Sequence, residues 1–202
     1  MPEEREIEVA SRENLRLLDE GKLPWEDVKR LIQMIPKDKD RFWKYLEILK
    51  EKVPWKDRIL LRLSDHLYIV RRDDGARVTK CDCGQEFGDY RVNWKLNCLV
   101  RVRKTAEEFA EVFTSSKDSE VLTPTPGIPY TSLVEVREFY CPRCLSQLAV
   151  EVVPVGYPII CELLPDLDSF YREILHRPLE DERSDWFQDK SQDLLAQWAA
   201  EE

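Results

Sequence analysis

Glycine is scarce in this chain of 202 residues, with six, and histidine scarcer still, with two. The glycines form neither a Gly-x-x-x-x-Gly-Lys nor a Gly-x-Gly-x-x-Gly string, which excludes the two commonest phosphate-cradling loops. A Gly-x-Ser-x-Gly elbow and a His-Glu-x-x-His helix are also missing. His66 stands beside a strand and His176, more than a hundred positions on, at a helix end, where imidazolium is favoured. Both read as structural side chains, so no catalytic residue is expected in this chain. No apolar run reaches 18 residues, and Met1-Pro2-Glu3-Glu4-Arg5-Glu6 lacks the apolar stretch of a signal peptide. Neither a membrane nor export is expected, and reduced cysteines fit the cytoplasm.

The net charge of −9 is unevenly placed. Residues 1–74 carry 17 basic and 17 acidic side chains, residues 75–154 carry 10 and 11, and residues 155–202 carry 4 and 12. Nucleic-acid affinity rests on a basic surface that neutralises phosphates, so nucleic acid is not an expected partner.

Against these absences stand six cysteines, four of them in two tight pairs: Cys81-Asp82-Cys83-Gly84 and Cys141-Pro142-Arg143-Cys144. A thiolate pair one or two residues apart can aim both sulfurs at one ion, and a second pair completes the four-coordination of structural zinc. Gly84 suits the positive φ that such a knuckle needs after its second ligand. Strand-type sequence flanks both pairs: Arg77–Lys80, Val134–Tyr140 and Leu148–Val153. Cys81, Cys83, Cys141 and Cys144 are therefore the expected metal ligands, in a zinc-ribbon layout. Spacing does not separate zinc from rubredoxin-like iron. Ribbons of the usual kind have about 15–20 residues between pairs, whereas 57 lie between these, so an insertion is looped out. Cys98 and Cys161, each in apolar surroundings, read as buried thiols.

The remaining pattern predicts an α+β fold: a central antiparallel zinc-ribbon-like β domain with N-terminal helices and a C-terminal helical, acidic extension. The expected divisions are 1–58, 59–160 with an inserted helix and loop at 104–132, and 161–202. Three short helices fill residues 11–52, the first capped by Ser11 and closed by Gly21, the second opened by Pro24, the third capped by Asp40. Val28, Leu31, Ile32 and Ile35 fall on one face of the second, expected buried. Leu67–Val70 and Ala76–Val78 form a hairpin through Asp73-Asp74-Gly75. Asp89–Trp94 and Cys98–Val102 are further strand candidates. Thr105 caps a helix through Phe113, with Ala106, Phe109, Ala110 and Val112 available for burial, before a Pro-rich loop from Ser115 to Ser132. Asp166 or Asp168 starts a short helix ended by Pro178. Trp25, Trp43, Trp186, Phe187 and Trp198 lie in segments too short to bury them alone, and read as docking residues.

Several strings together resemble one family, the small (gamma) subunit of acetone carboxylase and related ATP-dependent ketone carboxylases. They are Pro54-Trp55-Lys56-Asp57, His66–Val70, Lys80–Gly84, Asn93–Leu96, Arg137–Cys144, Val150–Pro154 with Gly156-Tyr157-Pro158, and Leu164–Glu173, spanning roughly residues 40–178. Leu145 departs from the pattern, standing where such knuckles usually carry a second glycine. The resemblance implies a small zinc-binding structural subunit packed on two larger ones similar to hydantoinase and oxoprolinase proteins. Those larger carboxylase subunits would hold ATP and a divalent metal, phosphorylate bicarbonate and the enol of a ketone, and join them into a β-keto acid, a carbon–carbon ligase reaction of the acetone or acetophenone carboxylase type. A stand-alone ribbon that binds nucleic acid or another partner, or an iron electron carrier, is the competing expectation.

Overall fold

The computed structural model describes residues 9–113 and 130–201. Three helices lead the chain: α1 (Arg12–Asp19), α2 (Trp25–Gln33) and α3 (Arg41–Lys52). Ser11 caps α1 through its hydroxyl, which accepts from the Asn14 amide at 3.1 Å, and Gly21 takes φ +67° just beyond its end. Pro24 stands immediately before α2, where its missing N–H costs nothing. Asp40 occupies the cap position of α3 without a capping hydrogen bond, and pairs instead with Arg177.

Two antiparallel sheets follow. The first has four strands in sequential order, β1 (Arg58–Ser64), β2 (Leu67–Arg71), β3 (Arg77–Cys81) and β4 (Glu86–Asp89). The Asp-Asp-Gly hairpin joins β2 to β3, with Gly75 at φ +83° and the Ala76 amide donating to Asp74 Oδ1. The second sheet has three, β5 (Leu99–Arg103), β6 (Val134–Tyr140) and β7 (Gln147–Pro154). Between β5 and β6 lies α4 (Ala106–Ala110), held by a capping box of Thr105 and Glu108. Most of the expected loop from Ser115 to Ser132 falls outside the described residues.

Four expectations need correction. The segment Asp89–Trp94 is not a strand: β4 ends at Asp89, and Trp94–Asn97 form a 3-10 turn capped by Asn93. The alternation of Tyr90, Val92 and Trp94 is not matched by burial, which falls on Tyr90 and Asn93, three positions apart as in a turn rather than a pleat. On α2 only Leu31 is buried and Ile32 is 63% exposed, because this nine-residue helix meets the body along one narrow line, while Ile35 lies beyond the helix end at Gln33 and is 93% exposed. The helix α4 ends at Ala110 rather than Phe113, Phe109 alone is buried on it, and Val112, beyond its end, is exposed. Past the cap Asp166, the helical turn Leu167–Ser169 widens into a π-helix at Phe170–Ile174, so the helix ends well short of Pro178.

One core unites the beginning, middle and end of the chain: Leu60, Ile69, Tyr90, Leu167, Tyr171, Leu179 and Trp186, with Phe42 and Trp43 packed on it. Trp43 and Trp186 thus contribute to the chain's own core, whereas Trp25 and Phe187 are exposed. A last helix, α5 (Ser191–Glu201), is tied to the turn after β4, where Ser191 Oγ accepts from the Asn93 amide at 2.8 Å. Among the described residues no helix is long and apolar enough to cross a membrane.

Candidate metal centre

Each sheet delivers one cysteine pair to the same place. β3 ends on Cys81, β6 ends one residue before Cys141, and both chains then turn back sharply. The turns are built alike. In the first, the Gly84 amide donates to Cys81 O at 2.9 Å and the Cys81 amide to Gln85 O at 2.8 Å. In the second, the Leu145 amide donates to Cys141 O at 3.0 Å and the Cys141 amide to Ser146 O at 3.0 Å. The backbone amides of Cys83, Gln85 and Ser146 are aimed at the sulfurs of Cys81, Cys83 and Cys144 in turn, as charge-assisted bonds to thiolates require. Gly84 sits at φ +94°, and a Cβ there would lie 3.2 Å from Arg143 Nη1. Leu145 takes the matching left-handed conformation, φ +61°, without glycine's freedom.

The result is a four-sulfur cluster with all Sγ atoms within 4.8 Å of one another. Cys81 and Cys144 are 3.7 Å apart, as are Cys83 and Cys141. Four sulfurs about 2.3 Å from one central ion in tetrahedral geometry would stand about 3.8 Å apart, so the cage has the size of such an ion. A disulfide needs about 2.05 Å, and all six cysteines are free. Burial pushes the Cys81 and Cys83 thiols up. Burial also raises Cys144, but the hydroxyl and amide of Ser146 and the neighbouring thiols outweigh it and hold the group at about 6. The Ser146 hydroxyl is 3.3 Å from that sulfur. Of the nearby cations, Lys80 is bound to Asp57 at 2.6 Å and Glu86 at 3.1 Å, so it does not neutralise the cluster. Four converging cysteine sulfurs suit a divalent ion.

The four cysteines singled out from the sequence are the four that come together; Cys98 and Cys161 are outside the group. Burial raises both of their thiols, that of Cys98 to about 12. Sequence reasoning gave no role to Trp55 or to the pairing of His66. The Trp55 indole N–H lies 3.1 Å from Cys81 O and 3.0 Å from Asp82 O, closing over the first knuckle, with its ring edge-on to Tyr68. His66 Nδ1 is 2.6 Å from Asp82 Oδ2, and the Asp82 amide donates to His66 O. Leu67, Phe87 and Leu148 complete an apolar wall that carries atoms of both sheets around Cys81 and Cys141.

Fold and site together define a protein of helices and two antiparallel sheets joined at a four-cysteine cluster that could hold a metal ion. The sequence profile of the acetone carboxylase gamma subunit matches residues 53–175, and the chain belongs to that family. It is 36% identical over 169 residues to the acetone carboxylase gamma subunit of Xanthobacter autotrophicus (strain ATCC BAA-1158 / Py2), covering 83% of this chain and 94% of that one. It is also 32% identical over 88 residues to the acetophenone carboxylase beta subunit of Aromatoleum aromaticum (strain DSM 19018 / LMG 30748 / EbN1), covering 44% of this chain and 62% of that one.

Proposed function

We propose that this chain is a small structural zinc subunit of an ATP-dependent ketone carboxylase, working in the cytoplasm with larger subunits that carry the catalysis. The observation that carries the reading is the 36% identity over nearly the whole length of a protein named as an acetone carboxylase subunit. Cys81, Cys83, Cys141 and Cys144 are the residues that would hold the zinc, giving a closed ribbon-like site. With every position taken by a thiolate, such a site leaves no place for a reactive water, which supports a role in folding rather than hydrolysis. What the metal supplies when bound is a cross-link between the two sheets.

The chain's own residues then act by position. Trp55 shields two carbonyls of the first knuckle, and Leu67, Phe87 and Leu148 bury Cys81 and Cys141. ATP and its divalent ion would be bound by the larger subunits, since the sequence lacks the Gly-x-x-x-x-Gly-Lys loop. Affinity purification from the native cell, with elemental analysis of the isolated chain, tests both halves of the reading. Large carboxylase subunits and one zinc per chain are expected. A chain recovered alone, or one carrying a single iron and a red colour, would overturn it.

A further inference from the structure

Among the described residues most basic side chains of this acidic protein are paired with carboxylates, and the exceptions are clustered. Among the described residues, six of the seven Lys or Arg side chains with no carboxylate within 4.0 Å fall between positions 37 and 58: Lys37, Lys39, Arg41, Lys50, Lys56 and Arg58. The seventh is Arg143 in the second knuckle. Carboxylates that could serve these six are engaged elsewhere: Asp38 with Lys44 at 2.7 Å, Asp40 with Arg177 at 3.4 Å, Glu47 with Arg12 at 3.4 Å, and Asp57 with Lys80 at 2.6 Å.

These cations border two open grooves on either side of α3. One, of about 570 Å³, has an apolar floor that includes Leu15, Phe42, Phe170 and Leu175, with Lys37, Lys39 and Arg41 beside it. The other, of about 470 Å³, sets Trp43 and Leu46 among Lys50, Lys56 and Arg58. Arg41 and Lys50 stand nine residues apart on α3, about 14 Å along the axis at about 1.5 Å per residue. That span is too long for a single phosphate or carboxylate to bridge. Nucleic acid is disfavoured by the net charge of −9 and by apolar floors shaped for side chains rather than a regular phosphate backbone.

We infer that the two flanks of α3 receive an acidic polypeptide segment of a larger subunit, its carboxylates facing the six cations that lack carboxylate partners and its bulky apolar side chains seated in the grooves. The inference rests on the reading of this chain as one subunit among larger ones. Cations that lack a carboxylate partner repel each other across α3 in the free chain, and an acidic segment removes that repulsion while its apolar residues leave water. Because exposed charges steer encounter, the association rate should fall as salt rises.

The test is a quadruple charge reversal, Lys39→Glu, Arg41→Glu, Lys50→Glu and Lys56→Glu, in the full chain, measured for affinity to the purified larger subunits. Metal content and thermal melting report whether the variant folds, and a milder Lys→Gln and Arg→Gln version of the same set keeps the question open to measurement if it does not. At least tenfold weaker binding is expected, with a flatter salt dependence, whereas Lys22→Glu and Lys104→Glu, at cations paired elsewhere, should bind as the parent does. Parent and quadruple variant binding with equal affinity would overturn the inference while leaving the proposed function standing. A parent chain that binds no larger subunit would overturn the proposed function, and this inference with it. Parent dimers that the variant cannot form would assign the surface to a second copy, and tight binding of inorganic phosphate lost in the variant would assign it to a small anion; each would equally reject the acidic segment.

Discussion

Arg77 and Asp168, 91 positions apart, form a two-bond ion pair at 3.0 and 2.8 Å with side chains that are 0% and 6% exposed. Arg77 opens β3 and Asp168 lies in the helical turn after Leu167, so the pair fastens the C-terminal segment to the strand that ends on Cys81. Asp181 adds a second carboxylate at 3.2 Å, and the guanidinium carbon stands 4.3 Å from the centre of the Trp186 ring. A planar, permanently charged guanidinium with carboxylates at its edge and an aromatic ring close by is one of the few ways to bury a cation at tolerable cost.

Removing one partner of that arrangement leaves the other buried and unmatched. Asp168→Ala should destabilise the protein by about 3 kcal/mol, within the range for broken buried pairs, with denaturant unfolding as the measurement. Trp186→Ala should cost about 3–5 kcal/mol through the cavity it opens beside Tyr90. A change below about 1 kcal/mol in either variant would mean that the C-terminal segment is not part of the cooperative core.

Acid should weaken the same attachment. Burial alone would raise the Asp181 carboxyl, but hydrogen bonding and attraction from Arg77, with further attraction from Arg71, hold it below its ordinary value of 3.8. A carboxylate depressed in the folded state contributes stability that is present above the unfolded pKa and is lost as pH falls through the folded one. Stability should therefore decline below about pH 4, and Asp181→Asn should flatten that decline while lowering stability at neutral pH. Chemical denaturation from pH 7 to pH 3 would show it.

Metal loss should be a folding event. Cys141→Ser should release the ion and disorder both sheets near the cluster, since structural zinc can contribute on the order of 10 kcal/mol. Strong chelators should do the same to the parent chain. Cys98→Ala and Cys161→Ala should leave metal content unchanged. Elemental analysis of each variant decides the matter, and stoichiometric metal retained by Cys141→Ser would show the ligand set to be wrong.

The two knuckles predict an asymmetry in mutational response. Leu145 holds a left-handed conformation that costs an ordinary residue about 1–2 kcal/mol, and its side chain is 64% exposed. Leu145→Gly should accordingly stabilise the metal-loaded protein by up to about 1 kcal/mol. Gly84→Ala should do the reverse, because it places a Cβ at positive φ against Arg143 and Trp55. Melting temperatures at fixed zinc concentration would separate the two.

Trp55 should matter through its N–H as well as its bulk. Trp55→Phe removes the donor to the carbonyls of Cys81 and Asp82, and should lower stability by about 1–2 kcal/mol. It should also speed metal transfer to a competing chelator. Equal transfer rates for parent and variant would remove the indole from any role at the cluster.

Local chemistry was sufficient, on its own, for much of this protein. Ser11, Thr105 and Asp166 cap helical segments because their side-chain oxygens reach backbone amides a turn away, and Asp73-Asp74-Gly75 bends a hairpin through Gly75's positive φ. The four clustered cysteines were legible for the same reason, as each knuckle is formed by neighbours in sequence. Tertiary structure alone decided the rest. The body is divided into two sheets that meet at the cysteines, and α2 leaves Ile32 outside and ends before Ile35 although the spacing is that of a buried face. Asp168, readable as a helix cap, instead neutralises a buried arginine of β3, while Trp186 of the acidic segment shields Tyr90. Contacts such as these join residues about 90 or more positions apart, and which of many carboxylates or aromatics fills a site depends on which the folded chain carries there, a matter on which periodicity and capping are silent.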